Sequence, residues 1–102
     1  MAVLQPQADD YAQELAQPAA VFLLIEIADT SLTYDREQKI PRYATAHIPE
    51  VWLVDVQQGI IEQYTQPFAG QYTMVKKHLR GMTIQSSMLP QIQFSLNDIF
   101  KQ

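Results

Sequence analysis

Two dense apolar stretches decide the fold of this chain, AAVFLLIEIA at residues 19–28 and EVWLVDV at residues 50–56. Both are rich in residues that favour β-strands, and a near-continuous apolar run is typical of a strand covered on both faces. Between them, residues 34–46 repeat apolar side chains at the three- and four-residue spacing of a helix. Because strand, helix and strand follow one another, the sequence predicts a βαβ unit with two parallel strands.

One residue conflicts with the predicted helix. Pro41 stands within it, and a proline inside a helix removes one hydrogen bond and costs about 3 kcal/mol. The helix tolerates Pro41 if it starts near Glu37 or bends there. Thr33 or Asp35 can cap its start, and Pro49 ends it.

The second half of the chain predicts short antiparallel strands. Gly59 and Gly70 stand in turn-forming stretches between segments that alternate apolar and polar residues. The predicted elements are strands at 60–65, 71–77 and 81–86, extended pieces at 89–90 and 92–94, and a helix at 95–100 capped by Ser95. Together with the βαβ unit they predict an α/β (α+β) fold, a mixed sheet with flanking helices followed by a β-meander.

Composition narrows the class of protein. The chain has 102 residues, a formal net charge of −4 and no cysteine. We predict a single domain, in which residues 1–19 form a poorly patterned N-terminal segment. The lack of cysteine excludes disulfide scaffolds and thiolate zinc sites, and the acidic balance argues against broad non-specific nucleic-acid binding. No apolar run approaches the length of a membrane helix and no secretory signal is recognisable, so we expect a cytoplasmic protein without membrane contact.

Glu26 is the most informative single residue. Strand alternation puts it on one face with Leu24 and Ala28, inside an apolar run. A carboxylate there is desolvated, which is unfavourable unless a cation or a hydrogen-bond donor meets it. Open α/β sheets place their sites at the C-terminal ends of strands, so Glu26 is a candidate metal ligand or catalytic carboxylate. The alternative, given equal weight, is a structural glutamate that faces solvent or pairs with an arginine.

The predicted helix carries the next candidates. Asp35 and Lys39 are four residues apart with the acid first, which predicts a surface ion pair worth about 0.3–0.5 kcal/mol. The alternative directs Lys39 toward Glu26, where its ammonium could hold a phosphate oxygen or orient a water. Tyr43 follows one turn later and is predicted to lie in the core with its hydroxyl at the rim.

The remaining polar candidates are weak. His47 and His78 lack the spacing of metal ligands and are predicted to be structural or surface residues. Lys76, Lys77 and Arg80 form a basic cluster with His78, for which a solvated strand end is a commoner explanation than phosphate binding. The sequence contains no Gly-rich phosphate loop and no HExxH motif.

A family resemblance sharpens these candidates. The sequence resembles the Uma-two family of restriction-endonuclease-like proteins, within the PD-(D/E)XK nuclease superfamily. The matching motifs are IEI at 25–27, DTS at 29–31, YDR at 34–36, Lys39, YA at 43–44, PEVWLVD at 49–55, GQY at 70–72, LP at 89–90 and LNDIF at 96–100. The resemblance extends over roughly residues 2–100.

This resemblance implies a restriction-endonuclease-like core that hydrolyses nucleic-acid phosphodiesters with Mg²⁺ or Mn²⁺. In such a site carboxylates hold the metal, which activates water, and a lysine supports the developing charge. By position, Glu26 corresponds to the metal-binding, catalytic glutamate and Lys39 to the catalytic lysine, while Asp35 and Tyr43 support them. Ala28 stands where the superfamily pattern E-x-K has its lysine, which implies that the lysine has moved to the helix.

The chain departs from the family in two places. Members carry their first catalytic aspartate before an apolar stretch similar to Ala2–Leu4, which here follows Met1 directly. An aspartate is also common where this chain has Ala20, and Asp9 and Asp10 stand in a different context. We therefore expect an N-terminally truncated relative, an impaired DNA endonuclease that binds Mg²⁺ weakly. The alternative is a catalytically silent remnant that dimerises through an unpaired sheet edge.

Overall fold

The computed structural model describes residues 2–4 and 21–100 of the chain. The strands are β1 (Ala2–Leu4), β2 (Val21–Ala28), β3 (Glu50–Asp55), β4 (Ile60–Phe68), β5 (Gln71–His78), β6 (Thr83–Gln85) and β7 (Gln93–Ser95). The helical elements are α1 (Leu32–Tyr34), a π-helical segment (Asp35–Lys39), α2 (Ile40–Thr45) and α3 (Leu96–Ile99).

Five strands form one mixed sheet in the order β1-β2-β3-β4-β5. β2 and β3 are parallel neighbours, whereas the other neighbouring pairs are antiparallel. The continuous helical stretch from α1 to α2 joins β2 to β3, so the predicted βαβ unit is confirmed. β3, β4 and β5 form the predicted meander, and β6 pairs with β7 in a second, two-stranded sheet. The α/β fold class predicted from the sequence is therefore confirmed.

Apolar side chains pack against both faces of the five-stranded sheet. On the face that carries α1 and α2, called the helix face below, the core consists of Ala28, Ile40, Ile48, Val51, Leu53 and Tyr64, and Val21 at the start of β2 packs against the same cluster. On the opposite, far face it consists of Leu23, Ile25, Trp52, Val54, Ile61, Ile84, Leu96 and Phe100. β3 is buried along its whole length, which is the pattern expected of a strand covered on both sides.

One row of residues crosses the helix face of the sheet. Glu26 of β2 lies opposite Leu53 of β3, which lies opposite Glu62 of β4, and Glu62 lies opposite Lys77 of β5. Directly opposed residues in neighbouring strands share a face of the sheet. We call these four residues the charged row, because they set two carboxylates and a lysine beneath the helical stretch.

The helical stretch accommodates Pro41 through a change of helix type. A wide π-helical turn occupies Asp35–Lys39, and Pro41 is the second residue of α2, which follows it. The prediction that Thr33 or Asp35 caps the helix is wrong, because the helix begins earlier and Ser31 is its N-cap residue. Ser31 Oγ instead donates to Asp35 Oδ2 at 2.9 Å, which draws that carboxylate inward.

Most of the N-terminal segment lies outside the described residues. Within the segment predicted to be poorly patterned, Ala2–Leu4 forms β1, while Asp9 and Asp10 lie outside the described residues. In the parts of the chain that the structure covers, no helix has the length and apolar character needed to span a bilayer. The dimer expected from an unpaired sheet edge stays a prediction.

Candidate active site

Glu26 lies near the C-terminal end of β2 and faces the helices. Its carboxylate accepts a hydrogen bond from Lys39 Nζ at 2.8 Å on Oε1 and one from the Tyr43 hydroxyl at 2.9 Å on Oε2. The side chain remains 20% exposed, so its oxygens lie at a rim that solvent reaches. The structure therefore brings together Glu26, Lys39 and Tyr43, three residues that the sequence had singled out separately.

Lys39 lies between two carboxylates. Besides Glu26, its ammonium contacts Asp35 Oδ1 at 3.3 Å. Lys39 therefore pairs within its own helix and also points toward the strand, and its role toward a phosphate or a water stays a prediction. Hydrogen bonds to Glu26 and Asp35 raise the pKa of Lys39. The lysine is thus held as a cation at neutral pH.

Asp35 is buried, so the predicted ion pair with Lys39 forms but does not lie at the surface. The whole residue is only 1% exposed, and its Oδ1 atom makes no hydrogen bond within the described structure beyond the ion pair with Lys39. The cause is the π-helical turn together with Ser31, whose hydroxyl holds the other carboxylate oxygen. A buried carboxylate beneath the ammonium restricts where Lys39 can point.

Tyr43 stays protonated at neutral pH. Burial first, and then the hydrogen bond to Glu26, raise the pKa of Tyr43 to about 12. Its ring packs against the helix-face core, while its hydroxyl reaches the rim, as the sequence predicted. Tyr43 therefore acts as a fixed hydrogen-bond donor that orients the Glu26 carboxylate.

A second ionic cluster lies beside the first, and sequence reasoning missed it. Arg36 Nε donates to Glu62 Oε1 at 3.1 Å, and Arg36 Nη2 donates to Glu62 Oε2. The Tyr64 hydroxyl donates a very short hydrogen bond to the same carboxylate. The available signal was the position of Arg36, three residues before Lys39 and hence on the same side of the helix. Glu62 gave no such signal, because polar residues of a strand that alternates in hydropathy are expected to face solvent.

Glu50 is a further carboxylate that sequence reasoning left without a role. It is fully buried on the far face and accepts from three side chains, namely Trp52 Nε1 at 2.8 Å, Gln63 Nε2 at 2.7 Å and Ser86 Oγ at 2.7 Å. The backbone N–H groups of Ser87 and Met88 also donate to it. Burial alone would raise the pKa of Glu50, but these hydrogen bonds together lower it. Glu50 therefore holds the loop after β6 and lies across the sheet from the candidate site.

The weak candidates of the sequence do not join the site. His47 is exposed at the end of α2 with a φ of 60°, in the left-handed region. His78 Nε2 lies 2.9 Å from Gln63 Oε1 on the far face, and burial lowers the pKa of this histidine. Strand alternation divides the basic cluster, with Lys76 on the far face and Lys77 on the helix face.

The donor chemistry of the site fits a hard divalent cation. Glu26 presents carboxylate oxygens at the rim, and Asp35 adds a buried oxygen whose described contact is the ammonium of Lys39. Among residues 2–4 and 21–100, no three His, Cys, Asp or Glu side chains gather as a ready-made metal centre. Mg²⁺ is commonly held by one or two carboxylates together with water and substrate phosphates. Glu26 would be its principal protein ligand here.

Comparison with known proteins identifies a family for this chain. The family model of Uma2, described as "putative restriction endonuclease", matches residues 1–97. A search of curated proteins finds no significant match. The family match spans the strand with Glu26, the helical stretch with Lys39 and all five strands of the mixed sheet. It thus confirms the resemblance inferred from the sequence motifs. The chain belongs to the Uma2 family.

Proposed function

We propose that this chain hydrolyses phosphodiester bonds of DNA at a metal-dependent site built on Glu26 and Lys39. The contact that carries the proposal is the one between Lys39 Nζ and Glu26 Oε1, 2.8 Å apart at the C-terminal end of a central strand. A partly exposed carboxylate beside a fixed ammonium is suited to the charge that develops on a phosphate during hydrolysis. The family match to a restriction-endonuclease model supports a nuclease-like function.

Glu26 would hold the divalent metal, Mg²⁺ or Mn²⁺, at the rim of the site. When bound, such an ion supplies an activated water and neutralises charge on the phosphate. Tyr43 fixes the orientation of the Glu26 carboxylate through Oε2. Because the described residues supply one rim carboxylate and one buried one, we expect weak metal binding and slow cleavage.

Lys39 acts as a hydrogen-bond donor toward the reacting phosphate. Its raised pKa keeps the ammonium protonated, so it stabilises negative charge and does not accept a proton. Asp35 holds the ammonium from its buried side and therefore serves as a positioning residue. The proposed division of labour gives Glu26 and Lys39 the contact with substrate and metal, and Asp35 and Tyr43 the support.

A nicking assay on supercoiled plasmid with Mg²⁺ or Mn²⁺ tests this proposal. Wild-type chain is compared with Lys39→Ala and with Lys76→Ala, which removes the same charge from an exposed site on the far face. We expect metal-dependent nicking by the wild type and by Lys76→Ala. Lys39→Ala should lose about a hundredfold in rate, the scale for removal of one charge-stabilising donor.

The contradicting result is equally specific. If the folded wild-type chain, checked by circular dichroism, does not cut DNA with either ion, the nuclease proposal is wrong for this chain. The alternative of a catalytically silent assembly module would then be tested by sedimentation. A concentration-dependent dimer would support that alternative, and a monomer at every concentration would count against it.

A further inference from the structure

A cavity opens on the helix face, beyond the contacts of Glu26. It has a volume of about 480 Å³ and is lined by Arg36, Glu62, Tyr64, Val75 and Lys77. The charged row runs through it, because Glu62 and Lys77 are the third and fourth members of that row. Neighbouring strands lie about 4.8 Å apart, so the floor of the cavity is roughly 10 Å from Glu26 along the sheet. A polymer that occupies the candidate site could therefore extend into it.

The charge of the cavity wall is positive on balance. Glu62 forms its floor, with a side chain only 5% exposed and both carboxylate oxygens accepting hydrogen bonds from Arg36. The glutamate therefore neutralises Arg36 from below and offers little negative surface to a ligand. Lys77 then contributes one further positive charge, exposed at the opposite side of the cavity.

Arg36 is held in a fixed orientation. Its Nε and Nη2 atoms donate hydrogen bonds to Glu62, and the Tyr64 hydroxyl donates to the same carboxylate. The guanidinium side chain is 42% exposed. An arginine braced by a buried carboxylate with one edge still exposed is pre-organised to bind a phosphate oxygen.

Lys77, unlike Arg36, is not held by a carboxylate in the described residues. In residues 2–4 and 21–100 it makes no ion pair and no side-chain hydrogen bond, although its charge acts on Glu62 at longer range. Its sequence neighbour Lys76 points to the far face and is also exposed. The two adjacent lysines therefore lie on opposite faces of the sheet.

We propose that Arg36 and Lys77 form a phosphate-binding subsite for nucleic acid, which holds a backbone phosphate flanking the bond to be cut. This proposal rests on the proposed function, which places the bond to be cut at Glu26 and Lys39. The path of the nucleic-acid strand toward the subsite is taken from that position. The ligand of the subsite is the phosphodiester group and not a base, because the exposed groups of the cavity are the cations of Arg36 and Lys77, whereas the Tyr64 ring is buried.

Binding measured without cleavage tests the subsite. The full chain is titrated into a fluorescein-labelled single-stranded oligodeoxynucleotide in EDTA, and anisotropy is followed at several salt concentrations. Lys77→Ala should weaken binding roughly threefold to tenfold at low salt and reduce the slope of log K against log salt by about one. Lys76→Ala is the matched control and should leave both quantities close to wild type. Lys77→Arg should restore them.

A backbone-neutral probe identifies the group that is bound. With a methylphosphonate oligonucleotide of the same sequence, the difference between wild type and Lys77→Ala should vanish, because the probe carries no backbone charge. Equal losses for the Lys76 and Lys77 variants, or no detectable binding by the wild type, would overturn the subsite. Because EDTA removes metal, binding is measured without cleavage. A failure of cleavage alone would therefore contradict the nuclease proposal and not the phosphate-binding subsite.

Discussion

Each face of the sheet holds a glutamate on a central strand, and the two glutamates differ in burial and in hydrogen-bond partners. Glu50, on the far face, is fully buried and accepts hydrogen bonds from five neutral donors. Glu26, on the helix face, is one-fifth exposed and is bound by one lysine and one tyrosine. Both belong to apolar stretches of sequence, so hydropathy alone does not separate them.

The partners of the two glutamates distinguish a structural carboxylate from a candidate catalytic one. The donors around Glu50 include two backbone N–H groups, whose positions are fixed by the fold. The partners of Glu26 are side chains at a rim, which can exchange with water, a metal ion or a phosphate. The contrast predicts a large loss of stability on one face and a large loss of activity on the other.

The largest effect on stability is expected at Glu50. Glu50→Ala removes the acceptor from five donors, and the three on the buried side chains of Trp52, Gln63 and Ser86 lose a partner in the interior, which costs energy. We expect the free energy of unfolding to fall by at least about 3 kcal/mol, measured by urea denaturation. Glu50→Gln should lose less, since one amide oxygen remains. If Glu50→Ala were no less stable than Glu50→Gln, the structural role assigned to this residue would be wrong.

Acid should lower the free energy of unfolding through carboxylates on both faces of the sheet. Glu50 on the far face should contribute in particular. Hydrogen bonds lower the pKa of Glu50 against the opposing effect of burial, and Arg36 and Tyr64 do the same for Glu62. A carboxyl whose pKa is lowered by folding contributes stability above its unfolded value of about 4.5, and this is lost as the pH falls through the folded value. Unfolding free energy should therefore decline below about pH 4.5, as urea titrations from pH 7 to pH 3 would show. In Glu50→Gln the decline should be shallower; an unchanged slope would contradict the assignment.

A smaller, stabilising effect is expected at the C-terminal end of α2. The chain leaves α2 through a Schellman motif, in which His47 N–H bonds Ala44 O and Ile48 N–H bonds Tyr43 O, both at 3.0 Å. His47 occupies the left-handed position of this motif, where glycine is preferred. His47→Gly should raise the unfolding free energy by about 0.5–1 kcal/mol. Thr45→Gly, within α2, is the control and should lower it, since the left-handed conformation is not required there.

The smallest effect on stability is expected at Glu26, where activity should change most. Glu26→Gln keeps an acceptor for the Tyr43 hydroxyl and weakens one partly exposed ion pair with Lys39, so stability should stay within about 0.5 kcal/mol of wild type. Metal-dependent plasmid nicking should nevertheless be lost. A variant that is strongly destabilised would instead place Glu26 with Glu50, as a structural residue.

Much of the site could be predicted from the sequence, because its residues lie close together along the chain. A βαβ unit returns the helix beside its own strand, so Lys39 and Tyr43 could be expected to meet Glu26 once the strand and helix were recognised. The burial of Asp35 could not be expected in this way. It depends on a π-helical turn, which shifts the direction of its side chains relative to an α-helix, and Pro41 was its only signal in the sequence.

The second ionic cluster depended on contacts that no local pattern encodes. Arg36 and Glu62 are 26 residues apart, and their meeting requires the register of β3 against β4. That register also decides that Lys77 faces the helices and Lys76 does not, since a slip of one residue exchanges the two faces of a strand. Register is fixed by the packing of both cores and is therefore a property of the whole domain.

The strands, the crossover helix and the family could be read from the amino-acid sequence, because apolar density, side-chain periodicity and motif spacing are local. Folding was needed to show which carboxylates are buried, which donors bond them and on which face of the sheet each charge lies. The physical reason is that burial and hydrogen bonding between distant segments depend on strand register and packing, which exist only once the chain has folded.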